Sequence, residues 1–114
     1  MAAATATLRK LHRIGAVAHM EAMGRMLREG IAAQAAALGV GVRQTGPAQL
    51  PILLFDDDAD LAKGNLFCVT ALDHGVYLHP WHDMFLSAAH TEEDIRIALA
   101  ATRKGLEAVA RAQR

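Results

Sequence analysis

Only one cysteine, Cys68, is present, so the chain cannot close an internal disulfide and a fold held by such cross-links is excluded. A lone thiol fits a reducing compartment. Net charge is absent too: twelve Lys and Arg cancel twelve Asp and Glu, which argues against a nucleic-acid or anionic-membrane partner. Charges break every apolar stretch well short of the roughly 20 residues that a bilayer span needs. After Met1 come alanines and threonines without a basic segment and a compact apolar one, so no secretory signal is expected. The expectation is a soluble, cytoplasmic protein with no nucleic acid and no membrane among its partners.

What is present suits a single globular domain over 1–114. The 114 residues are 53% hydrophobic and 21% charged. Alanine accounts for 24 of them, which favours helix but adds little burial per residue. The core must therefore depend on a limited set of Leu, Ile, Val, Met and Phe. Residues 1–50 carry six basic and two acidic side chains, and 51–114 carry six and ten. The halves thus differ by eight charges, enough for mutual attraction within one domain.

Leu8, Leu11, Ile14, Val17, Met20, Met23, Leu27, Ile31 and Leu38 fall mostly three or four apart, as one helical face requires. Gly15 divides this into a short helix near 5–13 and a longer one over 16–38, which the Gly39-Val40-Gly41 run ends. Gly24 and Gly30 inside it signal either close packing or a tolerated weakness. Val40–Thr45 alternates as a strand does, Gly46-Pro47 is a turn, and Leu50–Phe55 is an apolar run of strand length, which together predict an antiparallel hairpin. A helix over 60–74, short strands at Val76–Leu78 and Met84–Ser87, and a terminal helix capped by Thr91 complete the reading. The predicted order is α-α-β-β-α-β-β-α: an α+β fold with a small antiparallel or mixed sheet covered by helices.

Four of the six histidines, His74, His79, His82 and His90, lie between 74 and 90 with Asp83 among them. Imidazole with carboxylate is zinc-ligand chemistry. Pro80 opposes a helical presentation of His79 and His82, however, and polar or pocket-lining roles are the simpler reading. The Asp56–Asp60 run lacks the spacing of a calcium loop and reads as a solvated acidic loop. Cys68 has no CxxC partner and lies on an apolar helical stretch, as a small buried hydrophobe would. No nucleophile elbow surrounds Ser87, and Gly39-Val-Gly41 is no phosphate loop.

Gly75-Val-Tyr-Leu-His-Pro80, followed by Phe85-Leu-Ser-Ala-Ala-His-Thr-Glu-Glu-Asp-Ile95, resembles the closing segment of class III pyridoxal-phosphate-dependent aminotransferases, above all the glutamate-1-semialdehyde aminomutase branch. Thr7–Leu11, Gly24–Leu27 with Gly30, Thr45–Pro47 and Leu50–Phe55 extend the resemblance over roughly residues 5–111. It implies the C-terminal small domain of a fold-type I enzyme, with the large cofactor-binding domain absent. The family's cofactor, pyridoxal 5′-phosphate, forms a Schiff base with a large-domain lysine in a glycine-rich context. Lys10, Lys63 and Lys104 are the only lysines here and none has that context. The resemblance therefore implies that this chain does not transaminate alone, binds no cofactor alone, and partners a large domain in cis or in trans.

In the family the loop between the last two strands faces substrate, which makes His79, Trp81, His82 and Met84 candidates for pocket lining. The aminomutases carry a glutamate three residues before the phenylalanine of the final run. His82 holds that position here, and the loop is about two residues shorter. Both departures point to a related aminotransferase with another amino donor. No arginine lies between 64 and 95 to clamp a substrate carboxylate. The competing readings are a stand-alone module that self-associates through apolar surface, and a small metal protein using the 74–90 histidines.

Overall fold

In the computed structural model, which describes all 114 residues, the elements run α1 (Ala2–Arg13), α2 (Ala16–Leu38), β1 (Val42–Thr45), β2 (Ile52–Phe55), α3 (Ala62–Asp73) and α4 (Glu92–Ala112). The class is α+β. β1 and β2 form a two-stranded antiparallel hairpin with Val42 opposite Phe55 and Thr45 opposite Ile52. No helix is long and apolar enough to cross a membrane.

The long helices meet through narrow faces. α2 buries Met23, Leu27, Ile31 and Ala35, four residues apart, and α4 buries Ile95, Thr102, Leu106 and Val109. Gly30 and Gly105 are the thin points: a methyl group at Gly30 would run into the Leu99 side chain, and one at Gly105 would lie 2.9 Å from the Phe67 carbonyl oxygen. Gly24 is likewise pressed against the Ala48 backbone. Close packing accounts for both glycines inside α2. One polar group is sealed in this seam. Thr102 is fully buried, its hydroxyl 2.8 Å from Gln34 Oε1, and Gln34 Nε2 donates to the Leu99 carbonyl at 2.8 Å.

Glycine also ends α2. Gly39 is left-handed (φ 68°), its N–H donates to the Ala36 carbonyl, and Val40 donates to Ala35 at 2.9 Å while its side chain packs into the core. Arg28 then ties the hairpin to α2. Its Nη2 reaches the Gly46 and Thr45 carbonyls at 2.7 and 3.2 Å, and Gln44 Nε2 donates back to the Arg28 carbonyl at 2.8 Å.

Two expected strands do not form, so the element order is α-α-β-β-α-α. Val76 spends its N–H on the Ala71 carbonyl, closing the end of α3 beside left-handed Gly75. Met84 and Leu86 do donate, at 2.9 and 3.0 Å, to the carbonyls of Pro51 and Gln49. Proline has no N–H to return, so residues 84–86 lie along the start of β2 without making a ladder. A second correction concerns α1. The chain turns at Gly15 (φ 63°), no residue of α1 is buried, and Leu8, Ile14 and Val17 stay 67%, 51% and 59% exposed. Of the apolar stripe expected through α1 and α2, Leu11 is half-buried and continuous cover begins only at Met20. The accessible surface, 6957 Å², exceeds the roughly 6,100 Å² of a compact chain of this mass.

α4 opens with a reciprocal capping box. Asp94 N–H donates to Thr91 Oγ1 at 3.2 Å and Thr91 N–H donates to Asp94 Oδ2 at 2.8 Å. The Thr91 hydrogen bonds, with nearby His90 adding to them, hold the Asp94 carboxyl below its ordinary range. A depressed carboxyl contributes stability above its unfolded value and loses it as pH falls through the folded one. Wild type is therefore expected to lose urea resistance more steeply than Asp94→Asn below about pH 4. Thr91→Ala should cost about 1 kcal/mol at neutral pH. Gly105→Ala should lower stability by about 1–2 kcal/mol, overpacking against Phe67 outweighing the gain in helix propensity. A raised urea midpoint in Gly105→Ala would rule out the close α3–α4 approach.

Candidate functional site

A hollow of about 820 Å³ opens between the 75–90 segment, the first turns of α4 and Leu27 of α2. Its apolar wall includes Leu78, Met84, Phe85, Leu86, Ile95 and Ala98, and its polar groups are Tyr77, His79, Asp83, Ser87, His90 and Asp94. Of the four residues expected to line a pocket, His79 and Met84 do border this hollow and are half-buried. Trp81 and His82 lie at the tip of the same loop, both exposed, with Trp81 at 56%. The aromatic rings of His79, Trp81 and His82 form a mutual edge-on cluster with centroids 4.8–5.6 Å apart.

Hydrogen bonds set the histidine tautomers. His79 Nδ1 accepts the His82 backbone N–H at 3.1 Å and, at 3.4 Å, that of Trp81. His90 Nδ1 accepts the Ser87 N–H at 3.0 Å. Both Nδ1 atoms are therefore bare of hydrogen. His82 has the opposite arrangement: its Nδ1 donates to the Asp83 carbonyl at 3.1 Å, as His74 Nδ1 does to Thr70 at 2.9 Å. From α2, His19 Nε2 donates to the His90 carbonyl at 2.6 Å and fastens the end of the segment. His19 apart, these histidines act on the backbone of their own turns, and no three His, Cys, Asp or Glu side chains converge as metal ligands.

The acidic loop has a local task. Asp58 accepts the N–H groups of Lys63 and Gly64 at 2.7 and 2.8 Å, so it caps α3 across left-handed Leu61. Cys68 is half-buried on α3, and desolvation pushes its thiol up to about 11, so little nucleophilic thiolate exists at neutral pH.

The chain's basic groups do not fit a pyridoxal phosphate site. No lysine or arginine borders the hollow. Lys63 Nζ donates to the Asp56 carbonyl at 2.6 Å and Lys104 pairs with Glu107 at 3.4 Å, both away from it. Covalent anchor and phosphate ligands are thus missing from the hollow. His90, one of the four histidines given polar or pocket-lining roles, borders it, as do Asp94 and Ile95, neither of which was marked as a pocket residue. The signal lay in the Ala89-His-Thr-Glu-Glu-Asp-Ile95 run, where a helix start meets the loop.

No protein-family model matches the chain. An aminopentol aminotransferase of Sphingopyxis macrogoltabida is 44% identical over 111 residues, covering 97% of this chain and 26% of the relative. A glutamate-1-semialdehyde 2,1-aminomutase of Brevibacillus brevis is 29% identical, covering 94% of this chain and 28% of its own length. The FumI protein of Sphingopyxis sp. MTA144, solved in its pyridoxal-phosphate internal aldimine form, superposes with a TM-score of 0.94 at 43% identity, over 99% of this chain and 27% of that one. The chain thus spans about a quarter of the length of the curated relatives it matches. Matches to an aminotransferase, an aminomutase and a solved pyridoxal-phosphate enzyme show that the chain is homologous, over nearly its full length, to about a quarter of such pyridoxal-phosphate-dependent enzymes, as a C-terminal fragment of a class III aminotransferase would be.

Proposed function

We propose that residues 1–114 form the substrate-side wall of a class III aminotransferase that moves an amino group from an amino donor to a keto or aldehyde acceptor. A large domain, joined in cis or supplied in trans, brings the Schiff-base lysine and the cofactor-phosphate ligands. The observation that carries the reading is the near-complete superposition on the FumI protein at 43% identity. The lack of any lysine or arginine at the hollow agrees with it, because the covalent chemistry then belongs to the other domain. This chain's part is to bind and orient: the 79–84 loop with His79, Trp81, His82 and Met84 borders the substrate. The apolar residues left exposed on α1 and α3, among them Leu8, Val69 and Leu72, are surface for the large domain to cover. The cytoplasm is the compartment that the lone free thiol fits.

The relative's name points to an amino alcohol as its substrate. A hollow with an apolar wall, two carboxylates and no guanidinium suits an amine without a carboxylate better than an amino acid. Replacing the corresponding quarter of the Sphingopyxis macrogoltabida enzyme by this chain tests the proposal. The chimera should transaminate, while the 114-residue chain with pyridoxal phosphate should not. Met84→Ala in the chimera should raise KM for the amine about tenfold with kcat little changed. A folded, cofactor-loaded chimera with no turnover, or one whose KM ignores Met84, would overturn it.

A further inference from the structure

The 79–83 loop has almost no regular structure to hold it. No strand forms on either side, and Trp81, His82 and Asp83 are all exposed. Within the loop the tie that spans the turn is one ring nitrogen, since His82 Nδ1 reaches only the adjacent Asp83 carbonyl. His79 Nδ1 receives the N–H of His82 three residues ahead and is approached by that of Trp81, the position a capping side-chain oxygen takes at a helix start. The same ring packs edge-on against Trp81 and His82, so a single imidazole fixes both the backbone turn and the stack. It also borders the hollow. Placing a proton on Nδ1 turns an acceptor into a donor aimed at another donor, and the tie is lost.

We propose that His79 is the positioning residue of this loop: its bare Nδ1 holds the His79–Trp81–His82 cluster in shape, and only the neutral imidazole can do so. The groups that bear on the ring are His82 in its own cluster, and Tyr77, Asp83, His90 and Asp94, which border the same hollow. Pro80, next in sequence, packs on Gly64 at the start of α3, where Asp58 and Lys63 are the charged neighbours. The latch itself is a property of this chain. Its effect on substrate rests on the reading of the loop as a pocket wall.

Side-chain geometry supplies the test. Asn places its amide oxygen where Nδ1 lies, whereas Gln reaches the place of Nε2. Trp81 is the sole tryptophan, so its emission in the intact 114-residue chain reports the loop. His79→Asn should keep the wild-type emission and His82 amide protection. His79→Gln should exchange the His82 amide about fivefold faster, with far-UV circular dichroism unchanged. His82→Gln should keep the protection of the amide at position 82, which separates the two rings. Nitrogen chemical shifts give an independent check, placing the His79 proton on Nε2 at neutral pH. Equal protection in His79→Gln and His79→Asn, or a proton on Nδ1, would each overturn the latch. In the chimera, His79→Gln should raise KM and His79→Asn restore it. An intact latch with an unmoved KM would sink the pocket-wall reading and leave the latch standing.

Discussion

Phe67 lies against the bare backbone of Gly105, and much of the molecule is placed by that contact. The ring is 2% exposed and also meets Phe55 of β2 at a centroid distance of 5.3 Å, so one side chain joins α3, α4 and the hairpin. α4 can approach so closely only because position 105 has no side chain. On its other side α4 meets α2 where Leu99 fills the space over Gly30 and Thr102 reaches Gln34. With twenty-four alanines and few large apolar residues, area alone is a weak source of cohesion here, and short interhelical distances compensate through dispersion. The seating of α4 then fixes the hollow, since Asp94, Ile95 and Ala98 reach it from that helix.

The helices and the hairpin were legible because each carries its own signal. Spacing of three and four marked α2, the Gly-Pro turn marked the hairpin, and Thr91 with Asp94 marked the start of α4. The strands expected at 76–78 and 84–87 failed for a reason that local pattern does not contain. A strand exists only when a partner returns its hydrogen bonds, and here Pro51 returns none while Val76 serves the end of α3. The stripe through Leu8, Ile14 and Val17 has the right period for burial. Period states which face is apolar, and only the tertiary path past Gly15 decides whether anything covers it.

The site was legible in part. The loop from His79 to Met84 was marked by resemblance and by the density of histidines, and His79 and Met84 do border the hollow. Which nitrogen of each imidazole carries hydrogen was not readable, because it depends on backbone amides brought close only in the folded turn. His79 and His82 are three residues apart and use their Nδ1 atoms in opposite senses. The acidic run at 56–60 shows the same limit. Its charge was plain, yet the capping of α3 by Asp58 depends on the left-handed turn at Leu61.

The projecting helix has a consequence for hydrodynamics. With extents of 53 × 26 × 22 Å and a radius of gyration of 15.3 Å, against about 13 Å for a compact chain of this length, the molecule is a prolate body about twice as long as it is wide. Such a body meets more friction than a sphere of its mass. A monomer would therefore elute early from a sizing column calibrated on globular standards. Its elution volume imitates a larger particle, and only mass-sensitive methods such as sedimentation equilibrium or light scattering tell elongation from self-association.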